Sequence, residues 1–313
     1  MTESSFTGTK QTFETITGPF HIGSFTLHLI SDGLMRLSGQ SMFRTTEQVD
    51  DVPIPKASER PEGEHRRTGR TLVGLNALLI QDGKHNVLVD TGIGNKQEVA
   101  EGKSYEFERP RKLLSGLAEL SLQASDITHV INTHLHFDHC GGNTIADADG
   151  NLSPAFPNAT YFMARGEVEY AQNPPPRERR DFPLVNILPI LESGQMELWD
   201  HDGELLPGIE VQTTGGHTRD HAIVIIRSRR RGNPAAQEFE SACFLADLIP
   251  TASHLHPSLV MKYDLFPDDV KKYKRSLLER AVRENWLLLF DHAPRVKAGR
   301  VELVEKRFVF REK

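Results

Sequence analysis

Cysteine is nearly absent: Cys140 and Cys243 are the only two in 313 residues. A disulfide framework is thereby excluded, at most one bridge can form, and two reduced thiols of a cytoplasmic protein are the expectation. Long apolar runs are missing as well. No uninterrupted stretch approaches the roughly 18 to 20 residues that a membrane helix needs, and the opening MTESSFTGTKQTFETITGPF lacks the basic start and apolar run of a secretory signal. No membrane partner is expected. There is no basic excess either: 37 Lys and Arg stand against 43 Asp and Glu, a formal net charge of −6. That balance leaves no electrostatic footprint for nucleic acid. What remains is ordinary globular composition, 38% hydrophobic and 26% charged, in a chain long enough to bury a large core without staples.

Residues 1 to about 20 are polar and rich in Thr and Ser, which predicts a mobile arm preceding one domain over 21–313. A strand is expected over Ile22 to Ile30, ending at the turn Ser31-Asp32-Gly33. The irregular, charged stretch at about 34–70 carries Pro53, Pro55 and Pro61, and reads as a lid-like insertion. Its apolar pair Met42-Phe43 is suited to touching a substrate, as are Phe137 and Tyr263 further on. Leu72 to Ile80 and Asn86 to Val89 read as strands joined by an Asp-Gly turn. Further strands are expected at 127–132, 160–163, 209–213, 221–227, 241–245 and 286–290. Helices are expected near 111–120 and over Asp268 to Asn285, where Asp268 could cap the first turn. The run Arg229-Arg230-Arg231-Gly232-Asn233-Pro234 reads as a solvated hairpin tip. Strands and helices alternate, which implies an α/β layered domain.

Asp90, His134, His217, Asp247 and His292 each fall at or just beyond the C-terminal end of an apolar strand. Strand ends share a rim, where sheet-based enzymes assemble their sites. The densest chemistry is His134-Leu135-His136-Phe137-Asp138-His139, three imidazoles and a carboxylate within six residues. Groups so close repel when charged and are costly to bury unpaired, but neutral imidazole with carboxylate suits zinc, cobalt, iron or manganese. A surface tract that binds metal adventitiously would have polar neighbours and no distant partners. This one follows a buried strand and precedes Gly141-Gly142, which permits close backbone approach.

Taken in order, the H-x-H-x-D-H run, Asp90-Thr91-Gly92, Gly215-Gly216-His217-Thr218, Asp247 and Asp291-His292 resemble the metallo-β-lactamase superfamily. The resemblance covers about Leu72 to Pro294 and implies a four-layer αββα sandwich. It implies two divalent metal ions, most simply zinc, with manganese, cobalt or iron as alternatives. His134, His136 and His217 would hold the first, and Asp138, His139 and His292 the second, with Asp247 shared. Asp90 and His221 would orient ligands. The implied chemistry is attack by a metal-bridging hydroxide, with Asp138 handling the proton beside Asp247.

The layout is similar to the lactonase and organophosphate-hydrolase branch, implying a small ester-like substrate: a lactone, carboxylic ester or phosphotriester. Lactonases of this kind carry a tyrosine shortly after the bridging aspartate, where Pro250 stands here; Gly215 and Arg219-Asp220 also depart from the pattern. The alternatives are a thioester hydrolase of the glyoxalase II type, with Lys297, Arg300, Lys306 and Arg307 as its basic pocket, and a mononuclear iron persulfide dioxygenase. His254, His256 and Asp264 follow Asp247 in a loop and are candidates for the pocket wall. Related lactonase-like proteins are often dimers, so a homodimer is the analogous expectation.

Overall fold

The alternation of apolar residues explains the layers. Within Asn86–Val89, Val87 and Val89 join one apolar cluster while Leu88 joins another. Likewise Ala222, Val224 and Ile226 face the first cluster and Ile223 and Ile225 a third. Strands with apolar side chains on both faces must be covered on both. The computed structural model describes residues 13–45, 70–96, 106–107, 112–230 and 239–313. In it one sheet runs in the spatial order Ile16–Ile22, Phe25–Ser38, Arg70–Gln81, Asn86–Val89, His129–Ile131, Thr160–Ala164, Met196–Trp199. The second runs Gly203–Leu206, Ile209–Thr213, Ala222–Arg229, Phe239–Phe244, Leu287–Leu289, Ala298–Val304, Arg307–Glu312.

The first cluster, with Leu27, Leu29, Val87, Val224, Phe244 and Leu287, is the filling between the sheets. The helices Leu113–Glu119 and Arg165–Gln172 cover the outer face of the first sheet, and Pro267–Arg283 covers that of the second. This is the αββα sandwich. Asn86–Val89 and His129–Ile131 pair in parallel, as do Phe239–Phe244 and Leu287–Leu289. Within each sheet, therefore, the loops after those strands leave at the same edge, and these loops carry Asp90 and His134 in one sheet and Asp247 and His292 in the other.

Several boundaries differ from the sequence reading. The expected arm is shorter, because a strand already runs from Ile16 to Ile22 against Phe25–Ser38; residues 1–12 lie outside the described residues. The second strand does not stop at Ser31-Asp32-Gly33 but passes through an irregularity there and continues to Ser38. Gly33 has φ 133. The Asp32 carboxylate accepts the backbone N–H groups of Ile93, Gly94, Lys112 and Leu113, so the apparent turn residue is an internal tie.

The lid-like insertion begins later than 34. Gly39–Met42 is a short helical turn and Arg44–Thr45 pairs with Leu259–Val260, while 46–69, with Pro53, Pro55 and Pro61, lie outside the described residues. So does Arg231–Pro234 of the hairpin tip. Asp268 does not cap its helix: Phe266 is the capping residue, Pro267 opens the first turn, and Asp268 and Asp269 follow within it. No helix among the described residues is long and apolar enough to cross a membrane.

Candidate metal centre

Two groups of ligand-type atoms meet at this edge. In one, His136 Nδ1 is 3.0 Å from both His134 Nε2 and His217 Nε2, and His217 Nε2 is 2.8 Å from Asp247 Oδ2. In the other, His292 Nε2 is 3.0 Å from Asp247 Oδ1 and 3.6 Å from Asp291 Oδ2, and His139 Nε2 is 3.7 Å from Asp247 Oδ2. Within each group the atoms lie no more than 4.8 Å apart, and Asp247 belongs to both. Asp138 Oδ2 lies almost as near as Asp291 Oδ2, 3.7 Å from His292 Nε2 and 4.0 Å from His139 Nε2 against 3.6 and 3.9 Å. The compact second group thus adds Asp291, beside His292 at a strand end, as a candidate that the motif reading does not include.

The residues fit metal ions. His139 Nε2 and both Asp291 carboxylate oxygens are buried without a hydrogen-bond partner among the described residues. Buried polar atoms are rarely left so, and imidazole nitrogen with carboxylate is a donor set for zinc-like ions.

The opposite edges of the rings are held. His139 Nδ1 is 2.9 Å from Asp90 Oδ2, and Asp90 also accepts the backbone N–H and the hydroxyl of Thr133. Since that hydroxyl donates to Asp90, His134 Nδ1–H donates to it, at 3.1 Å. His217 Nδ1 meets Asp264 Oδ1 at 2.9 Å, and His292 Nδ1 donates to the Gly74 carbonyl at 2.8 Å. Such contacts fix tautomer and ring angle, leaving Nε2 to face the centre. His221 is fully buried: its Nε2 accepts the backbone N–H of Asp247 at 3.2 Å and its Nδ1 meets Thr214 Oγ1 at 2.7 Å. Burial first, then neighbouring His217, keep its pKa well below the ordinary value, which suits an imidazole that must accept.

Electrostatics divides the cluster. Burial and the neighbouring imidazoles push His134 and His136 well down. Burial would lower His217 and His139 too, but Asp247 lifts His217 to about 10, and Asp138 and Asp90 lift His139 to about 9. Asp291 is raised to about 7 by burial, against the pull of His292.

Above the cluster lies a cavity of about 400 Å³. Met35, Leu37, Met42, Phe137 and Met261 form an apolar part of its lining, and Arg177, Glu178, Asp181, Lys262 and Tyr263 a polar part. Asp181 was not singled out from sequence. Its carbonyl accepts the Phe137 N–H at 2.8 Å, and burial, then Asp138, raise its carboxyl to about 6. Tyr263 and Asp264 line the cavity, as do Met42 and Phe137; Phe43, His254 and His256 do not. Phe43 instead stacks on buried His254, ring centroids 4.5 Å apart, and His254 Nε2 donates to the Met42 carbonyl at 2.9 Å.

Other expected features lie elsewhere. Pro250 presents its carbonyl to the His292 N–H. Gly141 and Gly142 make their close approach to the backbone at Ile93 and Thr91, where added Cβ atoms would lie 2.3 and 2.2 Å from carbonyl oxygens. Exposed Arg219 borders a separate polar groove. Lys297 is buried and donates to the Glu14 carbonyl, and Arg300 to that of Asn285; neither reaches the cavity, nor do Lys306 and Arg307. Cys140 is buried with its thiol pushed up to about 12, which makes it a poor nucleophile.

A family model for the metallo-beta-lactamase superfamily matches residues 70–292. An N-acyl homoserine lactonase from Bacillus cereus is 27% identical over 164 residues, 49% of this chain and 58% of that protein. The match therefore spans little more than half the length of that curated relative. The solved structure of a probable metal-dependent hydrolase from Staphylococcus aureus is 25% identical, with TM-score 0.76 over 94% of this chain and 99% of the other. A dizinc quorum-quenching lactonase, solved with its product N-hexanoyl-L-homoserine, is 20% identical with TM-score 0.70, covering 94% of this chain and 96% of the other.

Proposed function

The chain belongs to the metallo-β-lactamase superfamily, and on that premise we propose that it is a two-metal hydrolase of a small ester-like substrate, a lactone foremost. The observation that carries this is the pair of ligand groups sharing Asp247 beneath a cavity. In this reading His134, His136 and His217 hold one ion, most simply zinc, and His139 and His292 the other, with the Asp138 and Asp291 carboxylates beside it. When bound, such ions polarise the electrophile, acidify water and stabilise a leaving oxygen.

The chain's own groups do the remainder. Met35, Leu37, Met42, Phe137 and Met261 bind apolar parts of the substrate and exclude water. As the oxygen of water bonds to the acyl carbon and the ester C–O bond breaks, Asp138 Oδ2 accepts the proton of that water. It returns the proton to the leaving oxygen. Tyr263 takes the place on the cavity wall from which a hydroxyl can steady the substrate, since Pro250 has none to offer.

The lactonase relative and the apolar part of the lining favour a lactone or related ester. The glyoxalase II alternative is less supported, because Lys297, Arg300, Lys306 and Arg307 do not line the cavity. The intact second ligand group speaks for two ions over one iron. The test is metal-reconstituted protein assayed on lactone, aryl ester, phosphotriester and thioester substrates, with ions counted per chain. Two zinc-like ions with ester or lactone turnover are expected; one iron with oxygen uptake on a persulfide would overturn the proposal. Mass measurement of the loaded protein tests the homodimer.

A further inference from the structure

We infer that Glu167, outside the cavity and part of no motif, is a positioning residue that locks the His134–His136 loop to the His217 loop and so sets the geometry of one of the two ion sites. The inference rests on the two-metal reading above. Glu167 lies in the first turn of the helix Arg165–Gln172 and is 1% exposed. Its Oε2 accepts the backbone N–H of Leu135 at 3.1 Å, and Leu135 stands between His134 and His136. Its Oε1 accepts the backbone N–H of Asp220 at 3.3 Å, three residues beyond His217.

The two loops follow strands of different sheets, His129–Ile131 and Ile209–Thr213. One carboxylate therefore ties together the segments that deliver His134, His136 and His217. The helix start also lies close to the same loop: a Cβ on Gly166 would meet the Asp220 carboxylate. Two amide donors on two separate oxygens require a group that accepts at both. A carboxylate does; a carboxamide of the same shape turns its NH₂ toward one of the amides and loses that bond. Among the described residues no hydrogen bond ties Glu167 to His139, Asp291 or His292, so the effect should be larger at one site.

The test is chelator competition on holoprotein of wild type, E167Q and E169Q, reading the affinity of each ion separately, with thermal melts of the same ion-free proteins. Glu169 is exposed on the same helix and controls for loss of a charge. In E167Q one ion should bind about 10- to 100-fold more weakly, as for loss of other outer-sphere partners, while the second ion weakens less and both ions of E169Q keep wild-type affinity. Unchanged affinity for both ions in E167Q, even with a lower Tm, would reduce Glu167 to a packing residue and overturn the inference; so would equal weakening of both. E167D keeps the charge but is one methylene too short to span both amides. It should weaken the same ion, which keeps the question answerable if E167Q folds poorly. Wild type that binds no second ion would instead defeat the two-metal reading.

Discussion

Asp247 is the residue that the two ligand groups share. Its carboxylate lies 2.8 Å from His217 and 3.0 Å from His292, and its backbone N–H is held by His221. The Asp247→Ala variant should therefore lose both ions and activity together, measured by metal content and turnover; retention of either would mean the shared ligand is misassigned. The raised histidines make a second prediction. In the ion-free protein His217, lifted to about 10, and His139, lifted to about 9, carry protons at neutral pH that an arriving ion must displace. A group with raised pKa opposes metal below that pKa and ceases to above it, so affinity should climb with pH up to about 9 to 10. His217 serves one ion and His139 the other, so with one of these protons displaced at each site the climb is up to about tenfold per pH unit for each ion. Competition titrations between pH 6.5 and 9 check this, and a flat profile would show that the ligands are already deprotonated.

At the scale of elements, the cavity wall is a clasp. Arg44–Thr45 pairs with Leu259–Val260, the Lys262 N–H donates to the Ser41 carbonyl, and His254 reaches back to Met42. Lys274, buried on the helix Pro267–Arg283, fixes the far side by donating to the carbonyls of His254 and Leu259. Removing the imidazole in His254→Ala strips Met42 of a donor and Phe43 of its stacking partner. It should cost about 1–3 kcal/mol of stability and raise KM several-fold with metal content unchanged; steady-state kinetics with an unaltered KM would detach the clasp from substrate binding. Much of this level was legible in the sequence. Alternating apolar residues gave strands such as Asn86–Val89 and Ile209–Thr213 to the residue. What stayed hidden depended on partners distant in the chain. Asp32 looks like a turn residue until the amides it accepts are known, and Lys297 reads as part of a basic pocket until its burial is seen. Glu167 belongs to no spacing pattern, because both its partners are backbone amides. Asp291 is a candidate that the motif order does not bring out, because the motif points to the histidine beside it.

At the scale of the molecule, the site lies across the seam of the sandwich. The cluster His134 to His139 follows a strand of the first sheet, whereas His217, Asp247, Asp291 and His292 follow strands of the second. Protein contacts already stitch this seam: the Gly74 and Asn76 amides donate to His292 and Asp291 carbonyls, and the Asn76 side chain donates to those of Asp291 and Ala293. With the apolar filling between the sheets, these should keep the ion-free protein folded. Ions coordinated from both sides would then act as further cross-links that exist only in the native state. By mass action an ion at a thousandfold excess over its Kd adds about 4 kcal/mol, which for a chain of this size is on the order of 10 °C in Tm. Exhaustive chelation removes both ions and should therefore lower Tm by roughly twice that amount without abolishing the cooperative transition. The His139→Ala and His217→Ala variants, altered on opposite sheets and each in one ligand group, should each lose about half of the ion-dependent gain, measured against its own ion-free melt. Calorimetry with and without zinc distinguishes the cases. A wild-type Tm indifferent to zinc would mean that the ions do not bridge the sheets, and a loss confined to variants of one sheet would place the ions on that side of the seam alone.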